Sequence, residues 1–140
     1  MNRFCVVVGA SCVLAFAASF VSADVIIDWN NVALGSIRSG NTNPPVASRA
    51  LAMMHSAMFD AVNATDLQYQ PYHSYQSAIP GSSAEAAAAQ AARDVLVSIY
   101  PAQTTVYNAA LAASLASIPD GASKTNGITL GHAVANDIVT

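Results

Sequence analysis

From residue 25 onward the apolar residues recur at spacings of three and four, and no stretch alternates apolar with polar. Leu51, Met54, Met58, Ala61 and Val62 follow this rule. So do Ala88, Ala91, Val95 and Ile99, then Tyr107, Leu111, Leu115 and Ile118, and finally Ile128, Gly131, Ala135 and Ile138. Such spacing lines one side of a helix, whereas a half-buried strand needs a period of two. The pattern predicts an all-α chain, a bundle of about five helices.

The punctuation agrees. A first helix is expected over Val25 to Ile37, ending in the polar loop Ser39-Gly40-Asn41-Thr42-Asn43. Pro44-Pro45 opens the second, because a missing N–H costs nothing in a first turn. Residues 64 to 82 read as a loop with Pro71, Pro80 and Gly81, and with Tyr69, Tyr72 and Tyr75 along it. Spaced tyrosines of this kind are expected to pin the loop to the surface, with the lining of a substrate mouth as the alternative. Ser82-Ser83-Ala84-Glu85 has the form of a capping box for the third helix. Pro101 opens the fourth, Pro119-Asp120-Gly121 is a turn, and the fifth carries the last apolar stripe. The third and fourth helices are alanine-rich, so they are thin and pack closely while burying little area each. The last stripe has no terminal cap, which reads as an incomplete part of a larger α-helical domain.

With 54% hydrophobic and 9% charged residues, the chain is no disordered tail. Its formal charge is −3, and the basic residues Arg3, Arg38, Arg49, Arg93 and Lys124 are scattered. Without a basic stripe, no nucleic-acid partner is expected. Residues 1–23 have the form of a secretory signal: Arg3, the apolar run Phe4 to Phe20, and the small residues of Val21-Ser22-Ala23 before Asp24. The run is just long enough to span a bilayer as a retained anchor, but its Ala and Ser content and the cleavage pattern favour removal. The expected product is secreted or periplasmic, with no membrane attachment once the signal is gone. Both cysteines, Cys5 and Cys12, lie in this segment, so residues 24–140 hold no thiol for a disulfide, a metal or catalysis. Of five basic residues only Arg3 is lost with it, leaving four against eight acidic residues and a charge of −4.

Polar residues concentrate in Thr42 to Ala64, which holds Arg49, His55, Asp60 and Asn63 on one helix. At about 100° per residue, His55, Phe59 and Asn63 form one stripe, while Arg49 and Asp60 share another side about 16 Å apart. His55 and Asp60 lie about 140° apart, too far round for a local acid–base pair. The simplest role for His55 is a buried imidazole bonded to a neighbouring helix. Arg49 and Asp60 are expected to pair with another helix or a loop carbonyl, and Met53, Met54 and Met58 to fill core. Asn63-Ala64-Thr65 is a glycosylation sequon, relevant in a eukaryotic secretory pathway. His73 and His132 have no carboxylate at a useful local spacing.

Asp28-Trp29-Asn30, Asn43-Pro44-Pro45 through Ala64, the alanine-rich helix with Tyr100-Pro101-Ala102-Gln103, and Ile118-Pro119-Asp120-Gly121 together resemble the N-terminal region of secreted proteins in the vanadium-dependent haloperoxidase and type 2 phosphatidic acid phosphatase superfamily. The resemblance implies an all-helical fold whose anion site takes vanadate or phosphate. That site draws a lysine and arginine from Lys-x6-Arg-Pro, a histidine from Pro-Ser-Gly-His, and an arginine and histidine from Ser-Arg-x5-His. Here Lys124 is followed seven places on by Gly131, and Gly131-His132 by Thr129-Leu130 on its N-terminal side. Only Ser48-Arg49 and His55 fit the third spacing, and there Asp60 lies one place beyond the usual aspartate. No catalytic residue is carried over; Arg49 and His55 remain the candidates. Vanadate is expected only for a complete family enzyme, and no cofactor or metal for this chain.

Two readings follow. In the first, the chain is the N-terminal scaffold of a haloperoxidase-like or acid-phosphatase-like enzyme, partnered by a missing C-terminal half or by self-association. In the second, it is a non-enzymatic secreted helical module that binds a partner.

Overall fold

The computed structural model describes residues 24–140, so the expected signal and both cysteines lie outside the described residues. Five α-helices follow one another: α1 (Val25–Ser39), α2 (Pro44–Asp66), α3 (Ala84–Ile99), α4 (Thr104–Ala116) and α5 (Ala122–Val139). A 3₁₀ turn, Pro101–Gln103, leads into α4. Among the described residues there is no strand. The all-α bundle predicted from the periodicity is the fold.

Local chemistry sets the helix ends. The Asp24 carboxylate caps α1 by accepting from the Ile26 N–H at 2.9 Å. Pro44 and Pro45 open α2, and Asn43 before them is extended. The capping box predicted on Ser82 is displaced by one residue. Ser83 is the cap, its hydroxyl accepting from the Ala86 N–H at 3.1 Å, while the Ser82 hydroxyl donates to the Ile79 carbonyl. The box fails because Glu85 falls two residues after Ser83, one short of the reciprocal spacing, and sits 3.4 Å from the Ser83 hydroxyl. The second helix runs to Asp66, so the loop starts at Leu67 instead of residue 64. Leu67 adopts the left-handed conformation, φ 54° and ψ 37°, with its N–H bonded to the Asn63 carbonyl at 2.7 Å. Glycine is the usual residue in such a cap.

Helix α3 occupies the centre. Every residue from Ala86 to Ala92 is buried, so the helix is enclosed on all sides and not along one stripe. It touches each of the other four helices, most heavily α5 and α2. The single stripe of Ala88, Ala91, Val95 and Ile99 therefore understates its burial. Alanine makes the arrangement possible, because neighbours approach close to its backbone. Gly127 and Gly131 of α5 complete the fit. A Cβ on Gly127 would meet the Ser83 carbonyl and lie 3.0 Å from the Ala86 Cβ. One on Gly131 would meet the Ala87 carbonyl and lie 2.9 Å from the Gln90 Cβ. The seam of α5 is thus Gly127, Leu130, Gly131, Val134 and Ala135, with Ile128 and Ile138 at its margins.

Larger side chains fill the space between α1, α2 and α3: Trp29, Met54, Met58, Val95 and Leu96 are all fully buried. The predicted core role holds for Met54 and Met58, while Met53 is half-buried. A buried polar latch joins α1 to α4. The Tyr107 hydroxyl donates to Ser36 Oγ at 2.8 Å, and Ser36 Oγ donates to the Val32 carbonyl at 3.1 Å. Burial pushes the Tyr107 hydroxyl above its ordinary range, although the Ser36 bond pulls the other way. Otherwise α4 is thinly covered. It has no charged residue and is mostly alanine and leucine beyond Asn108, yet Tyr107 is its only fully buried residue. Leu111, Leu115 and Ile118, expected to share the buried stripe, are only half-buried.

Candidate functional site

The most structured polar feature is the loop between α2 and α3, and α2 builds it. Asp60 is 1% exposed, and its carboxylate accepts three consecutive backbone N–H groups: Tyr72 at 2.6 Å, His73 at 2.8 Å and Ser74 at 2.8 Å. Three donors replace the water that a buried carboxylate loses. One turn further on, the Asn63 side chain accepts from the Tyr69 N–H at 2.9 Å and donates to the Tyr69 carbonyl at 2.8 Å. The far side of the loop is tied to α5. Asp137 accepts from the Ser74 hydroxyl at 2.6 Å and from Gln76 Nε2 at 3.0 Å. Those two donors hold the Asp137 carboxyl below its ordinary range, outweighing desolvation, and the charge of His73 adds to the effect.

These contacts revise three expectations. Asp60 binds amide N–H groups and not a carbonyl, since an ionised carboxylate only accepts. The backbone is pinned, but the tyrosine side chains are not: Tyr69, Tyr72 and Tyr75 are 65%, 78% and 75% exposed. And the sequon asparagine, 3% exposed with its amide engaged at both ends, is closed to a transferase in the folded chain.

The two candidate site residues are not brought together. Arg49 is exposed and has no hydrogen bond or ion pair among the described residues. His55 is half-buried, and its Nε2 lies 3.1 Å from Asn30 Oδ1 on α1. The bond to a neighbouring helix is the one expected for it, although the ring is half-buried and not fully buried. Lys124 is engaged by the Asp120 carboxylate at 2.9 Å and the Ile118 carbonyl at 3.2 Å. Cations and histidine therefore do not converge on a point where an oxyanion could sit, and these residues do not fit a vanadate cradle. Among the described residues, no three His, Cys, Asp or Glu side chains group as metal ligands.

A second cluster was invisible at local spacing. Asp94 on α3 accepts from His132 Nδ1 on α5 at 2.7 Å, from Arg93 at 2.7 Å and from Gln90 Nε2 at 2.9 Å. Arg93 also spans to α4, with Nε and a terminal nitrogen on Asn108 Oδ1 at 3.0 and 2.7 Å. Burial alone would raise the Asp94 carboxyl. The hydrogen bonds from Arg93, Gln90 and His132, with the Arg93 charge, bring it below the ordinary range instead. The His132 side chain is 74% exposed, so the pair sits at the surface, beside a cleft of about 240 Å³ that Ser98 and Asn136 also line. Gln90 and Asp94 are one turn apart on α3, which is the local signal. The pairing with His132, 38 residues away, has none.

Two more clefts lie at the surface of the described residues. One of about 210 Å³ lies between α2, the loop and α5, lined by Ala52, Met53, Ser56, Tyr72, His73 and Ile138. The other, of about 330 Å³, lies between α1 and α4, lined by Asp28, Trp29, Val32, Ala110, Ala113 and Ser114. The buried Trp29 indole N–H has no acceptor among the described residues. No described helix is long and apolar enough to cross a membrane. Comparison of the chain with protein-family models, with curated proteins and with solved structures finds no match.

Proposed function

We propose that this chain is the N-terminal scaffold of a secreted enzyme of the haloperoxidase or acid-phosphatase type, whose anion-binding residues come from a further segment packed on α4. The observation that carries the reading is α4 itself. An uncharged, alanine-rich helix gains little from facing water, yet Val106 is 54% exposed and Ala109, Ala112, Ala113 and Ala116 are also exposed. The groove beside it, over Trp29 and Val32, is where such a segment would pack. The motif that carries the family resemblance supports the same role. Met54, Met58, Asp60 and Asn63 serve packing and loop anchoring, and His55 joins two helices.

The test is functional and physical together. Residues 24–140 should neither brominate a phenolic dye with peroxide and vanadate nor hydrolyse a nitrophenyl phosphate. They should self-associate through α4, unfold over a broad temperature range, and lose the association when Val106→Lys and Ala113→Glu are introduced. Addition of a catalytic segment bearing Lys-x6-Arg-Pro and Pro-Ser-Gly-His should sharpen the melt. Turnover by the chain alone that disappears with His55→Ala would defeat the scaffold reading. A monodisperse monomer with a sharp melt would favour an independent binding module.

A further inference from the structure

From Leu67 to Ala84 the chain carries no Asp, Glu, Lys or Arg, and Gln68, Gln70 and Gln76 are interspersed with Tyr69, Tyr72 and Tyr75. The rings project into solvent while the backbone beneath them is fixed by Asp60, Asn63 and Asp137. A loop that only closed a helical hairpin would gain nothing from exposing three tyrosines, and exposed aromatic surface marks binding sites. Tyrosine presents a large ring with few rotamers to freeze, and a pre-fixed backbone removes most of the remaining ordering cost. The aromatic surface is also continuous with a cleft. Tyr69 packs against the exposed Phe59 at a centroid separation of 6.3 Å. Phe59 lies three residues after Ser56, which lines the 210 Å³ cleft with Tyr72, His73, Met53 and Ile138.

The chemistry of this surface selects its ligand. Phosphate chains and acidic polymers need several cations, and the loop offers only His73, whose charge already faces Asp137. A cationic ligand would seek several carboxylates; Asp60 and Asp137 are already engaged by the loop, which leaves the single exposed Asp66 at the end of α2. What remains is aromatic faces, a hydroxyl and side-chain amides. That set matches a neutral molecule with apolar C–H faces and hydroxyl edges. The cleft is smaller than the roughly 300–1,000 Å³ of pockets for drug-sized ligands, which suits a single sugar ring with its neighbours lying along the tyrosines.

We propose that the Tyr69–Tyr75 loop and the adjoining cleft form a binding site for an uncharged polysaccharide, with Tyr72 stacking on one sugar ring and Tyr69 on another. The site stands independently of the scaffold reading, because it uses neither α4 nor an anion pocket. Affinity electrophoresis of the secreted chain tests it, in gels carrying hydroxyethylcellulose, xyloglucan or galactomannan, with polygalacturonate and a gel free of polymer as controls. Retardation is expected in at least one neutral gel and not in polygalacturonate. Tyr72→Ala should weaken it about three- to tenfold, the equivalent of one aromatic stacking contact, and Tyr72→Phe should preserve it. Both rings are exposed, so unchanged circular dichroism should accompany the loss. Bound polysaccharide should also shield the tyrosines from nitration. Migration unaffected by all three neutral polymers overturns the proposal. So does retardation that survives the Tyr69→Ala, Tyr72→Ala double variant, or a Tyr72-dependent dimer with no polysaccharide binding, which would make the surface a protein interface.

Discussion

Gly131 lies directly against the Ala87 carbonyl, so that α5 and α3 meet backbone to backbone where a single methyl group would intrude. The obstructing atoms are helix backbone and cannot swing aside as a flexible side chain would. Gly131→Ala should therefore destabilise the chain by about 1–3 kcal/mol, the usual cost of overpacking, despite the better helix propensity of alanine. Gly35→Ala, where nothing lies within 4 Å of the added carbon, is the control and should be neutral or stabilising. Urea titrations of the two variants check the contrast.

Asp60→Asn keeps the size of the side chain but replaces one accepting oxygen with a donor that faces backbone N–H groups. A cost of about 2–4 kcal/mol is expected, since a buried donor is left unpaired against other donors. Amide exchange should rise at Tyr72, His73 and Ser74 well before it rises in α3. Uniform acceleration across the chain would show that the loop is not a separate unit.

Acid should loosen the α3–α5 seam. The Asp94 carboxyl titrates lower in the folded chain than in the unfolded one, so its stabilisation is complete above the ordinary carboxylate range and is lost as pH falls through the depressed value. Asp94→Asn should cost about 1–2 kcal/mol at neutral pH. The difference from wild type should shrink below about pH 4, where the unfolded carboxylate also protonates. A pH-independent difference in melting temperature would contradict this.

Leu67→Gly should stabilise the chain. The left-handed conformation costs a non-glycine residue about 1–2 kcal/mol, and glycine avoids that at an entropic cost of about 0.5–1 kcal/mol. A net gain of roughly 0.5 kcal/mol is expected, with the Leu67 side chain contributing little because it is 66% exposed. Chemical denaturation resolves it if the slope is unchanged.

The helices were legible because their signals are local: stripes at three and four, Pro44-Pro45, and the turn Pro119-Asp120-Gly121. Helix α3 was legible as a helix but not as the axis of the bundle. An alanine run has the same appearance whether one side or every side is covered, and only the Gly127 and Gly131 partners reveal the difference. The same holds for polar residues. His55 was placed correctly as a tie to another helix, since polar groups beside a core need a partner. The donors to Asp60 are anonymous backbone amides, 12 to 14 residues away, and no side-chain pattern announces them. The Asp94–His132 pair depends on the rotation of α5 about α3, which follows from glycine contacts and not from any motif.

An alanine helix in isolation frays readily and exchanges its amide hydrogens within moments of meeting deuterium. The enclosure of Ala86–Ala92 on every side reverses that habit. With four helices laid over them, these amides reach solvent only when the whole assembly opens, so the plainest stretch of the sequence should be the last to take up label. Its exchange rate then serves as a gauge of global opening, read at seven residues that carry no reporter group of their own except Gln90.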